Sequence, residues 1–257
     1  MDYETITYEI DDAVAVITLN RPDQLNALNG KLLAELLAAL RAAQADDGVR
    51  ALLLRAAGRA FCSGADLKEG LAADLGEHLR QHYHPIIKTM RSMEKPIVAA
   101  VQGLAAGAGA SIALAADMVV AGESGGFQQI FTNIGLIPDA GSTHAMPHRI
   151  GHARAMGAVL TGEAIGAARA ERWGLIWQAV ADDELDATAR ALAASLAARP
   201  TRALGLAKQL LEAAADNNLA AQLEAEAQGQ SQMQHTADFA EAIQAFLAKR
   251  PARFTGR

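Results

Sequence analysis

The stretch that most restricts how this chain can fold is Ile97-Val-Ala-Ala-Val101, followed by Gln102-Gly-Leu-Ala-Ala-Gly-Ala-Gly-Ala-Ser111. Every residue from 103 to 110 except Leu104 is Gly or Ala. An uncharged apolar run of this kind reads as a buried strand. The small residues then let the backbone turn tightly and enter a helix packed close to that strand. The uncharged segment from Pro96 to Ala116 is also about long enough to cross a bilayer. Gln102, the glycines at 103, 107 and 109, and the Asp117 that ends the run favour a buried strand-turn-helix over a membrane span.

Strands and helices alternate on either side of it. Tyr3 to Ile10 and Ala13 to Leu19 alternate apolar and polar residues across Asp11-Asp12, which predicts an opening hairpin. Asn20-Arg21-Pro22 breaks the second strand. Lys31 to Ala43 carries apolar residues at helical spacing with Asn29 placed as its cap. Ala51 to Ala57 and Met118 to Ala121 read as further short buried strands. After Asp139 the pattern turns almost wholly helical, most clearly over Ala189–Ala198, Arg202–Ala214, Leu219–Gln228 and Ala237–Lys249. The expected division is a core over residues 1–195 and a helical region over 196–257, joined without a Pro-rich or Ser-rich linker.

At 257 residues the chain can bury one large core, and with 4% aromatic residues that core must be built from Ala, Leu, Ile and Val. A formal net charge of −6 leaves no positive field for a polyanion, and the best basic cluster is only Lys249-Arg250 with Arg253 and Arg257. Nucleic-acid binding is not expected. The single cysteine, Cys62, forms no intrachain disulfide and fits a reducing compartment. Met1-Asp2-Tyr3-Glu4 lacks the basic start and apolar run of an export signal, so the cytoplasm is the expected location.

Three elements carry chemistry. In Ala60-Phe-Cys-Ser-Gly-Ala-Asp-Leu67 a strand runs into small residues, exposing backbone N–H groups. The Gly/Ala turn brings a second set of unpaired donors to a helix N-terminus, where they favour negative charge. Together two such turns can form an oxyanion hole, although alone the second is equally a packing device. It lacks the third glycine of a dinucleotide fingerprint and the Gly-Lys-Ser/Thr of a phosphate loop. The third element is Phe127-Gln-Gln-Ile-Phe-Thr-Asn-Ile-Gly135-Leu-Ile-Pro138-Asp139-Ala-Gly141-Ser-Thr143.

Taken in order, the three elements resemble the enoyl-CoA hydratase/isomerase (crotonase) superfamily. The likeness runs from Leu19-Asn-Arg-Pro22 and Asn26-Ala-Leu28 to Phe246-Leu-Ala-Lys249-Arg250. It implies an α/β fold, a spiral of ββα repeats with a C-terminal α-helical trimerisation region, and hence a homotrimer or a dimer of trimers. It also implies an acyl-CoA substrate whose thioester oxygen lies between the backbone N–H groups of Ala65 and Ala108, with Gly64 and Gly109 adjacent. Coenzyme A is then the carrier of the substrate, and no separate cofactor or metal is expected. The resemblance places Gln24, Asn26, Ala27, Leu28, Ala65, Asp66, Leu67 and Lys68 along the coenzyme A site, with Phe246 and Lys249 completing it from a neighbouring subunit.

Hydratases of this superfamily carry two glutamates that activate water, at the positions held here by Ser111 and Phe131. Neither residue is a base at neutral pH. Where those enzymes have glycine after Ile-Pro, this chain has Asp139, a single carboxylate suited to moving a proton to and from an enolate. Isomerisation is therefore the expected reaction. Gly135 to Asp139, Gly151 to Met156, Trp173 to Gln178 and Phe246 to Gly256 are most similar to the branch that isomerises the ring epoxide of phenylacetyl-CoA and shifts enoyl-CoA double bonds. Ser142, His144 and Met146 depart from that branch. Double-bond hydration, dehalogenation of an aromatic acyl-CoA with a histidine such as His82 or His84, naphthoyl-CoA synthesis, and non-catalytic binding are the alternatives.

Several of these residues have plainer readings. Asp139 after proline is placed to cap a helix, and only the family context turns that reading toward catalysis. Asp66 is expected to fix its turn, and Glu77 to be solvated. On an unbroken helix His144, His148 and His152 would share a face, but Pro147 is expected to interrupt that helix, and no carboxylate or cysteine completes a metal set. His78 and His82, at the same spacing, are likewise surface or packing residues, and Cys62 reads as a small buried side chain rather than a reactive thiol.

Overall fold

In the computed structural model, which describes residues 3–70 and 72–257, the opening alternation becomes an antiparallel hairpin of β1 (Ile6–Asp11) and β2 (Val14–Leu19). Met1 and Asp2, at the acidic start of the chain, lie outside the described residues. Helix α1 (Gly30–Ala45) begins where Asn29 accepts from Leu32 N at 2.9 Å, the cap expected from the sequence. The chain then returns in parallel to β2 as β3 (Ala51–Ala56). Helix α2 (Leu75–His78), a π-helical turn (Leu79–Tyr83) and α3 (His84–Ser92) lead to β4 (Ile97–Val101).

The Gly/Ala segment folds as β5 (Leu104–Ala106) and α4 (Ala108–Ala115), not as a membrane span. Among the described residues no helix is long and apolar enough to cross a bilayer. Strands β6 (Met118–Gly122) and β7 (Gly126–Gln128) follow. Next come α5 (Ser142–Ile150), α6 (His152–Thr161), β8 (Ile165–Gly166), α7 (Ala167–Trp173) and β9 (Gln178–Val180). The short strands β5, β7, β8 and β9 were not legible in the sequence. Two or three residues are too few to show a period of two.

The larger sheet has the order β1-β2-β3-β4-β6-β9, parallel from β2 onward, and the smaller has β5-β7-β8. The period-two rule sorts the central strands between two cores. Ile17, Leu52, Leu54, Ala99 and Val119 face α1, α3 and α4 in one cluster. Val16, Leu53, Val98, Ala100 and Val120 face α8 (Leu185–Ala197) in the other, through its Ala189 and Ala193. The expected boundary at residue 195 falls in the last turn of this sheet-covering helix.

Helices α9 (Thr201–Ala213), α10 (Leu219–Met233) and α11 (Ala237–Leu247) bury few residues of their own. Their attachment is specific all the same. A Cβ on Gly205 would stand 2.5 Å from Cβ of Glu94, so α9 approaches the body at backbone distance. Lys208 Nζ donates to Met90 O at 2.8 Å and to Asp117 at 2.9 Å. Buried Asp238 accepts from Thr255 N at 2.6 Å and Gly256 N at 2.8 Å, tying down the C-terminal residues.

Candidate active site

A ladder of backbone bonds brings the two small-residue turns together. Cys62 bridges Ala105, with Ala106 N donating to Cys62 O at 2.8 Å. Leu28 bridges Ala65, with Leu28 N donating to Gly64 O at 2.8 Å and Asp66 N to Leu28 O at 3.0 Å. This pattern uses the carbonyl before Ala65 and the amide after it, and leaves the Ala65 amide without an acceptor among the described residues. Ala108, the first residue of α4, has the free N–H that a helix start must have. The turns touch: a Cβ on Gly64 would lie 3.1 Å from Ala106 O and 3.8 Å from Ala108 N. Gly64 also sits at φ +98°, a region that favours glycine.

Ala65 and Ala108 both line a cavity of about 300 Å³. Its apolar wall includes Leu28, Leu75, Leu79, Phe131, Ile134 and Ile137. Three carboxylates line it, and their environments differ sharply. Asp66 is paired with Arg21 Nη2 at 2.9 Å and accepts from Lys68 N at 3.2 Å, the turn-fixing role expected of it. Glu69 accepts from Gly30 N at 2.8 Å and so caps α1. Among the described residues the Asp139 carboxyl has no hydrogen-bond or ion-pair partner, and its Oδ1 is buried. Burial pushes its carboxyl up to about 6.

The capping reading of Asp139 fails on geometry. Helix α5 begins after Gly141 without a side-chain cap, and it is the Asp139 carbonyl, not its carboxyl, that accepts from Ser142 N at 3.1 Å. Ala140 at φ +48° and Gly141 at φ +85° turn the chain directly after Asp139, which lines the cavity. A non-glycine residue in this region is uncommon and costs about 1 kcal/mol or more, and such strain gathers at functional sites.

Other expected site residues fall differently. Leu28, Ala65, Asp66 and Leu67 line the cavity, whereas Gln24 and Lys68 are exposed outside it. Asn26 is fully buried and its side chain is spent. Its Oδ1 accepts from Arg21 N at 2.8 Å, and its Nδ2 donates to Ala57 O at 2.8 Å and Ala60 O at 2.9 Å, so it shapes the loop and has no side-chain group left for a ligand. Ala27 is buried beside it. Gly109 faces Cys62, away from the cavity. Phe246 and Lys249 are exposed on the C-terminal helical region and do not reach the cavity of their own chain.

His82 and His84 do not line the cavity, and Glu77 is bonded to Arg80 and Gln81 at the surface. The π-helical turn brings in His78 and Tyr83 instead, whose rings meet edge to face with centroids 5.7 Å apart. Residues five apart diverge on an α-helix, and the wider turn returns them to one side. No spacing rule for α-helices would have found Tyr83. Burial, then the nearby Asp139 charge, raises the Tyr83 hydroxyl, which stays protonated. Burial, then the charge of His82, lowers His78.

The two plainer readings of histidine and cysteine also acquire geometry. Among the described residues no group of three metal-binding side chains comes together. His144 and His148 stack on α5, which runs through Pro147, and the helix ends at Gly151 rather than at the proline. Cys62 is buried, and desolvation pushes its thiol up to about 12.

The sequence profile of the enoyl-CoA hydratase/isomerase family matches residues 9–257. A Rhodobacter capsulatus protein named "Probable enoyl-CoA hydratase" is 50% identical, the match covering 100% of both chains. The 1,2-epoxyphenylacetyl-CoA isomerase of Escherichia coli is 43% identical over 99% of both. The crystal structure of an enoyl-CoA hydratase from Bacillus anthracis superposes with a TM-score of 0.94 at 31% identity, covering 99% of this chain and 100% of that one.

Proposed function

The chain belongs to the enoyl-CoA hydratase/isomerase family, and we propose that within it this protein isomerises acyl-CoA thioesters. In this reading the amides of Ala65 and Ala108 hold the thioester oxygen and Asp139 moves the proton. One observation carries it: of the three carboxylates lining the cavity, Asp139 alone is unpaired. Water activation by two glutamates has no counterpart here, since Asp66 and Glu69 are engaged and the corresponding positions are Ser111 and Phe131.

The chemistry balances with one base. The Asp139 carboxylate removes a proton from the carbon next to the thioester, and the electron pair passes through the carbonyl to the oxygen held by the two amides. Collapse of the enolate takes the same proton back at the far end of an allylic system. A 3-enoyl thioester becomes a conjugated 2-enoyl thioester, and the carboxylate is regenerated. A carboxyl raised by burial suits both halves of this exchange better than an ordinary one.

The finer reading is 1,2-epoxyphenylacetyl-CoA isomerisation, supported by likeness to the E. coli isomerase and by the apolar cavity wall. Leu28, Asp66, Leu67, Gln24 and Lys68 would border the coenzyme A moiety, which carries the substrate without any further cofactor. Exposed Leu219, Leu223, Phe239, Ile243, Phe246 and Leu247 on the C-terminal helices favour a trimer or a dimer of trimers. There Phe246 and Lys249 would reach a neighbour's coenzyme A. Likeness to the Rhodobacter protein favours hydration as the second reading.

Offering the purified protein a 3-enoyl-CoA, a 2-enoyl-CoA and epoxyphenylacetyl-CoA separates these readings. Isomerisation of the first or third is expected, and rapid hydration of the 2-enoyl thioester as the dominant reaction would sink the proposal.

A further inference from the structure

Ser111 and Ser142 are both buried, and their hydroxyl oxygens lie 2.5 Å apart. Ser111 sits in the first turn of α4, which starts at Ala108, and Ser142 is the first residue of α5, just past Asp139. Ser111 Oγ also lies 3.1 Å from the Asp139 carbonyl oxygen and 3.3 Å from that of Gly107. Ser142 Oγ reaches no carbonyl. Two hydroxyl protons must be placed, which fixes the direction between the serines, and the Asp139 carbonyl is the nearer of the two acceptors open to Ser111. Ser142 donates to Ser111 Oγ, and Ser111 donates to the Asp139 carbonyl. The reverse would strand the Ser142 proton in a buried site.

The Asp139 carbonyl thus takes the Ser111 hydroxyl and the Ser142 amide, the latter at 3.1 Å. Its carboxyl takes nothing. The aim of the carboxyl is therefore set by the backbone it hangs from, on a chain turned by two left-handed residues, Ala140 and Gly141. From this geometry we infer that the Ser111–Ser142 pair is a positioning strut: it joins the helix that begins at the Ala108 amide to the backbone of Asp139 and fixes the distance between oxyanion hole and base. The inference rests on the reading of Asp139 as the base.

The strut is tested by steady-state isomerisation of a 3-enoyl-CoA, followed as the conjugated product forms. Ser111→Ala is expected to lower kcat about 10- to 100-fold while KM stays within about twofold, since a small misplacement of a catalytic group costs rate more than binding. Ser111→Thr, which keeps the hydroxyl, should recover most of the loss. Ser142→Ala, which leaves Ser111 free to donate to Asp139, should cost less than Ser111→Ala. This milder variant keeps the inference testable if Ser111→Ala folds poorly. In an Asp139→Asn background, Ser111→Ala should remove no further turnover. Loss by the same factor in both backgrounds, or unchanged kcat in Ser111→Ala, overturns the strut while leaving Asp139 as the base. Full turnover in Asp139→Asn alone overturns both.

Discussion

Gly109 and Cys62 are packed so closely that a Cβ on the glycine would stand 2.6 Å from Sγ and 2.7 Å from the carbonyl oxygen of the cysteine. The contact clamps the start of α4 against the segment that leads to Ala65. Gly109→Ala is expected to destabilise the fold by about 2 kcal/mol or more, as overpacking does, and to lower turnover by separating the two amides. Cys62→Ala should not rescue it, because the Cys62 carbonyl and Cβ remain in the way. Thermal melts and isomerase assays of both variants decide the matter, and full rescue by Cys62→Ala would show that the sulfur alone sets the spacing.

Asp139→Asn keeps the shape of the carboxyl and removes the proposed base. Binding of an acyl-CoA should persist, while isomerisation should fall by about 10² to 10⁴. Isothermal titration with a non-isomerisable thioester, beside the rate assay, separates the two effects.

The same carboxyl sets a pH dependence with two opposite signs. Its ordinary value of 3.8 rises to about 6 in the fold. In the proposed mechanism the ionised form is the base, so kcat/KM should climb through an acid limb near pH 6. The folded protein holds this proton more tightly than the unfolded chain does, so the contribution to stability falls as pH rises from about 4 through about 6. Asp139→Asn should therefore melt higher than the parent at pH 8 and level with it near pH 4. A parent that matches Asp139→Asn at both pH values would show that the carboxyl is not held in a costly site.

Arg21 and Asp66 form an ion pair whose side chains are 16% and 10% exposed, and Arg21 Nη1 also donates to Ala27 O. Removing one partner strands the other charge, so Asp66→Ala should cost about 2–3 kcal/mol, more than an open surface pair is worth. It should also raise KM for acyl-CoA, since Asp66 holds the turn after Ala65. A denaturant melt and a KM measurement test both, and an unchanged melt would mark the pair as solvated.

Cys62, with its thiol raised to about 12 and fully enclosed, should resist alkylation in the native protein at pH 8 and react on unfolding. Mass spectrometry before and after denaturant reads this directly. Rapid native labelling would require an opening of the bridged segment around Cys62.

The large elements were legible because their periods are long enough to count. Leu32, Leu33, Leu36 and Leu40 announce α1, and the run from Ile97 to Val101 is a strand with the bounds expected. Motif order pointed to Asp139, Ala65 and Ala108, and these three line one cavity. What escaped depends on partners distant in sequence. Asn26 has the chemistry of a ligand-facing residue, but Ala57 and Ala60 consume its amide. Glu69 caps a helix that begins at Gly30, and Ser111 gains a role only beside Ser142. Tyr83 reaches the cavity because one turn is π-helical, and the sequence carries no mark of that widening.

Peptide amides belong to every amino acid except proline, so the two donors proposed at Ala65 and Ala108 are invisible to most point mutations. Exchanges there act only through bulk, which exposed Ala65 can accommodate and buried Ala108 cannot. The proposed base is the opposite case, a chemical identity written in the single codon of Asp139. A lineage built on this frame inherits its grip on the thioester with the backbone, and it can try a new reaction by rewriting one side chain.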